Sequence, residues 1–465
     1  MEEDDSFRSV CEGLWQLSGE AGMIYRMQSS PLSSVSRSSA SRASSRPIDA
    51  LLDQKRPTLV AAANIFLLCL LGMNGIWAIV PGTYLETASH ISIAVFWACS
   101  LAAFLRIRGR VPWSLWTCRF AFIFLCWILL SISWSTQPLS TTYSPAISSI
   151  CVFFYYCYIM DRFTPSEFKT LLFQMFTVMF IICVLMIIFM PYRGLENAAV
   201  LGTNPDNAGD WKGVYRQKNE LGLNCGIAFG LCIGYAPKNA LERIWRDALT
   251  VLTVVLSYGS RSRESWIAIA LVIFLSALIK PFRRFDPRSR FPAFVVVFFV
   301  LVVSVTLISL NLDVALHLIG RDRTFTGRSS IWEWSMMAAQ RRPWFGYGIY
   351  GFWKTPLAND VIVRAGWQVT SSHNSYLDVV ISYGIIGLLL YLPIPLFAVI
   401  YIFRAVMSYS LEIFEMFIYM LVAIIVISFA GGFLTYAIGI GYVLAIYTIS
   451  NLEKVERSGF MRLDT

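Results

Sequence analysis

Charge is scarce in this sequence, and histidine scarcer still. Asp, Glu, Lys and Arg make up 14% of the 465 residues against 56% apolar ones, and the three histidines are His90, His317 and His373. That ratio cannot clothe a soluble globule in polar side chains, so the soluble enzyme classes are excluded at the outset. No apolar core follows the acidic start MEEDD, so a cleaved secretory signal is not expected. Nine of the ten cysteines fall within or beside apolar runs and Cys11 lies near the start, which argues for small packing residues rather than a disulfide framework or a zinc site. Carboxylates spaced as DxD are absent from every loop read below as outward-facing. A closely spaced carboxylate pair to hold a divalent metal is therefore not expected, and no metal or other cofactor is assigned.

What remains is a succession of apolar runs. A bilayer core of about 30 Å needs about 20 apolar residues per helix. Twelve spans are expected, at 58–80, 90–105, 114–133, 143–160, 168–190, 219–236, 248–258, 265–279, 291–311, 376–403, 412–430 and 433–450. The fold class that follows is an all-α polytopic membrane protein. The seventh span is short; the tenth is long, interrupted by Gly384 and Gly387 and followed by Pro393 and Pro395, so a short helix leading into a full span is expected there. The organisation reads as a Ser/Arg-rich tail (1–57), spans one to nine (58–311), a large loop (312–375), spans ten to twelve (376–450) and a short C-terminal tail (451–465). Residues 29–46 contain ten serines and no aromatic, and are expected to be disordered.

Lys and Arg orient the chain. Both tails and the loops carrying Arg106, Arg108 and Arg110, or Lys280, Arg283 and Arg284, are rich in them, whereas loops 81–89, 134–142 and 431–432 have none. Both termini are thus expected inside, and the +9 net charge is largely topology rather than a nucleic-acid footprint. The exceptions gather in three outward loops. Loop 191–218 has Arg193, Lys212, Arg216 and Lys218; loop 259–264 has Arg261 and Arg263; loop 312–375 has seven basic residues, Arg328 among them. Outward basic residues oppose insertion, and a bound polyanion would compensate for them.

Four stretches in these loops invite chemistry. In YRQKNELG (215–222), Asn219 could cap the sixth span and open its first-turn N–H groups to an anion beside Arg216 and Lys218; an ordinary basic helix start is the alternative. GSRSRESW (259–266) sets two arginines at a helix–helix corner, suited to phosphate or to lipid headgroups. TGRSSIWEWSMMAAQRRPWFGYGIYGFW (326–353) reads as an amphipathic helix with Trp332, Ser335, Met336 and Ala339 on one face, then a Pro/Gly/aromatic turn, the pattern of an interfacial lid. SSHNSYLDVV (371–380) puts His373 at the lip of an apolar run, where it is either a structural residue or a base.

Together KNELG, SRES, GRSSIW with PWFGYG, and HNSYLDVVISYGIIGL resemble, in kind and order, the O-antigen ligase and Wzy-type polymerase superfamily; SWSTQPLS (133–140) is similar to its early outer-loop signature. Within it, the chain most resembles exopolysaccharide polymerases of the succinoglycan type. SRSRES has one arginine more than the family's usual single SR, and the serine-rich tail has no counterpart. The resemblance implies a GT-C-type glycosyltransferase in a bacterial inner membrane, acting at the periplasmic face on an undecaprenyl-diphosphate-linked oligosaccharide as donor and acceptor. Its partners would be the bilayer and chain-length-control and export proteins. His373 is assigned as base, with Asn374 orienting backbone or acceptor, because a neutral imidazole suits proton removal near neutral pH. Arg216 and Arg263, then Arg261, Arg328 and Lys218, are assigned to the diphosphate. The alternatives are a ligase joining finished glycan to lipid A core or another acceptor, and a flippase of lipid-linked sugars, although a transporter would carry ionisable residues near the midplane.

Overall fold

The computed structural model describes residues 58–72, 85–197, 207–282, 285, 289–293, 295–296, 328–365, 369, 371–407, 415–429 and 439–458, all within one compact unit, Lys55–Thr465. The expectations for residues 1–57, for most of span 291–311 and for 312–327 lie outside the described residues. The described residues contain no strand. The helices are α1 Thr58–Gly72, α2 Leu85–Arg106, α3 Trp116–Leu130, α4 Leu139–Arg162, α5 Pro165–Phe189, α6 Lys218–Ile233, α7 Ala240–Ser260, α8 Arg263–Phe282, α9 Arg328–Arg341, α10 Pro356–Ala365, α11 Ser375–Tyr391, α12 Pro393–Met407, α13 Glu415–Ser428 and α14 Ile440–Arg457.

Among the described residues, Trp116–Trp134, Thr142–Arg162, Pro165–Phe189 and Ser375–Met407 are long and apolar enough to cross a membrane, and Val60–Leu71, His90–Arg106 and Glu415–Ser428 are shorter apolar helices. The all-α membrane class is borne out in these helices, while twelve is more spans than they establish. The run read as the seventh span, 248–258, lies inside the longer helix α7. That helix begins at Ala240, because Asn239 caps it by accepting the Glu242 N–H. The charged turn LERIWRD then runs helically ahead of the apolar stretch, where a hydropathy reading does not register it. All nine described cysteines are reduced thiols.

α6 is the centre of the packing and is buried from Leu221 to Cys232. Gly222, Gly226, Gly230 and Gly234 recur at intervals of four and form one stripe. A Cβ on Gly230 would stand 2.8 Å from the Met420 backbone nitrogen of α13, and one on Gly222 would stand 2.3 Å from Cβ of Ser262. The stripe lets α13 and the α7–α8 corner approach α6 backbone to backbone, as small-residue faces do between membrane helices. Capping is shared between elements too. α3 has no side-chain cap of its own at Leu115; buried Glu453 of α14 instead accepts the N–H groups of Trp116 (2.7 Å) and Thr117 (3.0 Å).

The tenth span is broken twice, as its glycines and prolines predicted: at Gly384 inside α11 and again before Pro393. At Gly384 (φ 70°, ψ −172°) the helical ladder opens, and the turn 343–348 fills the gap. The Ile381 and Ser382 carbonyls accept from Tyr347 (2.9 Å) and Gly348 (2.8 Å), while the Ile385 and Ile386 N–H groups donate to Pro343 (2.7 Å) and Trp344 (3.4 Å). Trp127 of α3 satisfies the Tyr383 carbonyl at 3.1 Å. Five groups at the break thus find protein partners, the condition under which apolar surroundings tolerate a broken helix.

Candidate functional site

The turn 343–351 is held from the other side by residues 131–136, which overlap the motif SWSTQPLS. Ser131 Oγ accepts the Ile349 N–H (3.1 Å), Ser135 Oγ donates to the Ile349 carbonyl (3.1 Å), and Thr136 Oγ1 donates to the Gly351 carbonyl (2.7 Å). Two family-like motifs more than 200 positions apart in sequence thus form one hydrogen-bonded block. Trp127, Trp134 and Phe345 cluster on it, with centroids 5.3–5.9 Å apart. An open apolar crevice of about 460 Å³ lies alongside, lined by Trp134, Arg342, Pro343, Trp344, Phe345 and Gly346, and none of the assigned site residues lines it.

Above α11 sit α9 and α10 with an apolar core of their own, in which Ile331, Ala338, Ala339 and Val361 meet Leu377 and Ile381. The buried face of α9 differs from the one expected: Ser335 and Ala339 are on it, joined by Ile331 and Ala338, but Trp332 and Met336 are exposed. Trp332 stands on the flank, where its indole N–H reaches the Ser372 carbonyl at 2.9 Å and ties α9 to the histidine loop.

That loop is a closed set of bonds around a strained residue. His373 is 9% exposed and its φ is +55°, a region that non-glycine residues seldom occupy. Asn374 spends its side-chain oxygen as the cap of α11, accepting from Tyr376 (3.0 Å) and Leu377 (3.1 Å). Buried Asp378 accepts the Ser372 N–H at 2.8 Å, immediately ahead of His373. Asp378 escaped the sequence reading. Its signal is the position four residues after the cap in HNSYLD, where an acidic residue in the first helical turn can reach back to the loop.

Of the assigned basic residues, Lys218 and Arg261 meet at Asp210, and the five are not equivalent. Lys218 Nζ lies 2.6 Å from Asp210 Oδ2, and both side chains are largely buried. Arg261, cap of α7 at φ +48°, places NH1 3.4 Å from the other Asp210 oxygen but keeps its side chain 74% exposed. Arg263 opens α8 two residues on and is exposed. Arg216 is exposed, within electrostatic reach of Glu220 and Tyr350. Tyr383 in turn lies within reach of Tyr350 and Asp378, which carries the connection to the histidine loop. Arg328 begins α9, directly after residues outside the description.

The expected anion site at the start of α6 is not there. The cap is Gln217 rather than Asn219, and the nearby N–H groups are already taken: Lys218 donates to Glu196 Oε1 (2.7 Å) and Arg216 to Glu220 Oε2 (3.2 Å). Two carboxylates occupy the positive end of the helix, so an anion at this corner must be met by side chains. Burial raises the Glu196 carboxyl above the ordinary range, while the Lys218 N–H and the Lys212 and Lys218 ammoniums pull it back. Sequence reading passed over Glu196 and Asp210 because scattered acids in a loop carry no spacing signal. Among the described residues no three His, Cys, Asp or Glu side chains gather into a metal-holding group.

Residues 248–392 match the family described as O-antigen ligase. That segment runs from α7 through Arg261, Arg263, the α9–α10 unit, the 343–351 turn, the His373 loop and broken α11. The chain is also 26% identical over 200 residues to the exopolysaccharide production protein ExoQ of Rhizobium meliloti (strain 1021); the match covers 40% of this chain and 45% of that protein. The chain therefore spans less than half the length of this curated relative. Residues 248–392 are thus similar to the O-antigen ligase family, and the chain is similar to an exopolysaccharide production protein.

Proposed function

We propose that this chain polymerises undecaprenyl-diphosphate-linked oligosaccharide repeat units into exopolysaccharide, as a GT-C-type glycosyltransferase of twelve spans at the periplasmic face of a bacterial inner membrane. The observation that carries the reading is the content of the matched segment: Arg261, Arg263 and the strained His373 loop fall inside it, and the Arg261 corner also gathers Lys218 from outside it.

In the proposed reaction His373 takes the proton of an acceptor hydroxyl as that oxygen forms its bond to the anomeric carbon of the donor. The bond from that carbon to the diphosphate breaks with its electron pair on the diphosphate oxygen, and a single displacement of this kind inverts the anomeric centre. Arg216 and Arg263 meet the departing charge, with Arg261 and Arg328 in support. Lys218, held on Asp210, adds field rather than contact. Asn374 fixes the loop from which the imidazole projects, and the guanidinium charge does what a divalent cation does in other sugar transferases.

The test is reconstitution with a lipid-linked repeat unit alone. A polymerase yields a ladder of products, and His373→Ala at unchanged protein level lowers its rate by about 10²–10⁴-fold; an undiminished ladder from that variant would remove the base assignment. A second reading, ligation of finished glycan to lipid A core or another acceptor, is favoured by the description of the matched family itself. Under it the same reconstitution gives no product until the second acceptor is added.

A further inference from the structure

Tyr350 stands where the chain has reason to keep a glycine. The Gly351 N–H donates to the Gly348 carbonyl at 3.0 Å, closing a four-residue turn in which Tyr350 is the third residue, with φ +54°. That position with positive φ normally selects Gly or Asn, since a Cβ there is crowded. Glycine is abundant on either side, at 346, 348 and 351, yet the strained position carries the largest side chain of the turn. Hydroxyls of Ser131, Ser135 and Thr136 bind the flanking backbone and hold the conformation in place. Four described non-glycine residues have positive φ: Arg108 and Arg261 at helix ends, where the left-handed conformation is ordinary, and Tyr350 and His373, which end no helix.

The tyrosine's surroundings say what the strain maintains. Its ring packs partly buried against the main core, and its phenol is within electrostatic reach of Arg216, Glu220 and Tyr383. It thus shares neighbours with Arg216 and, through Tyr383, with Asp378 beside the histidine loop. Burial holds the phenol above the ordinary tyrosine range although Arg216 pulls it down, so at neutral pH it keeps its proton and is a hydrogen-bond donor.

We propose that Tyr350 is a diphosphate-binding residue, its hydroxyl donating to an oxygen of the same prenyl diphosphate that Arg216 engages. The assignment rests on the functional reading above for the nature of the ligand and supplies a donor that the basic residues alone do not. Arg216 brings charge, whereas a phenol fixed by a rigid turn brings direction. Anchoring the diphosphate from the histidine side would align the anomeric carbon with His373.

Binding can be measured without any sugar chemistry, using farnesyl diphosphate titrated into the full-length protein in detergent. Tyr350→Phe keeps the ring, its packing and the turn, and removes one oxygen. The expected result is a Kd raised about tenfold or more, the loss of one hydrogen bond to a charged oxygen, at an unchanged Tm. In a cycle with Arg216→Gln, the double variant should lose less than the product of the single losses, because both groups hold one anion. Wild-type affinity in Tyr350→Phe overturns the proposal. A lowered Tm with unchanged affinity also overturns it, marking the tyrosine as structural, and so does a wild-type protein that binds no farnesyl diphosphate. The product ladder is scored separately: a protein that binds the probe through Tyr350 but makes no polymer refutes the polymerase reading and leaves Tyr350 as a diphosphate ligand.

Discussion

Gly384→Ala should open the junction between the 343–348 turn and α11. An added Cβ would lie 2.1 Å from the Trp344 carbonyl oxygen and 2.5 Å from the Phe345 nitrogen, both of them backbone. No rotamer change relieves a collision with main chain. The residue also has φ 70° and ψ −172°, a region open essentially to glycine, where a side chain costs about 1–3 kcal/mol before any contact is counted. Overpacking adds about 1–3 kcal/mol. The variant should therefore lose roughly 2–6 kcal/mol, which at about 2–4 °C per kcal/mol lowers Tm by about 5–20 °C. The thermal midpoint of the detergent-solubilised protein is the assay, and Gly441→Ala is the control, because a Cβ at Gly441 in the first turn of α14 meets nothing among the described residues within 4 Å. If Gly384→Ala melts with the wild-type protein, the turn does not enter the helix and the four exchanged hydrogen bonds are not what hold the lid.

Asp210→Ala should destabilise by about 3–5 kcal/mol, because it strands the largely buried Lys218 ammonium, and Asp210→Ala with Lys218→Met should recover most of that loss; equal Tm values for the single and double variants would refute the pairing. Glu196 tests the pH dependence. Its carboxyl is raised by burial, so the folded protein binds that proton more tightly than the unfolded chain, and the contribution is present at acid pH and lost as pH climbs through the raised value. Glu196→Gln still offers an oxygen to the Lys218 N–H but titrates nothing, so its Tm should fall less between pH 5 and pH 7 than that of the wild-type protein. A steeper fall would refute the sign.

The apolar runs were legible because a membrane helix needs length and hydropathy together, and α3, α4, α5 and the α11–α12 pair meet both. Gly384 and Pro393 announced their breaks because backbone punctuation is local. Two misjudged elements share a cause. The start of α7 is charged, and on α9 the apolar Trp332 and Met336 are exposed while Ser335 is buried, so in neither does hydropathy mark the outcome; tertiary contact, not local pattern, decides them. The histidine loop and the basic corner could be located from residue type and order. Their internal bonding could not: Asp210, Glu196 and Asp378 act through partners distant in the chain or masked by ordinary spacing, and the capture of the α6 N-terminus by Glu196 reverses an anion-site reading that was sound for an isolated helix. Tyr350 was invisible for a different reason, since a backbone angle leaves no mark in a sequence beyond the glycines around it.

Because Tyr347 and Gly348 complete the hydrogen bonding of Ile381 and Ser382 while Pro343 and Trp344 accept from Ile385 and Ile386, the lid turn and the spanning helix are two halves of one object. Chimeras between this chain and its relatives should therefore exchange residues 343–351 and 381–387 as a pair. A graft that takes only the extramembrane loop leaves a foreign seam inside the helix.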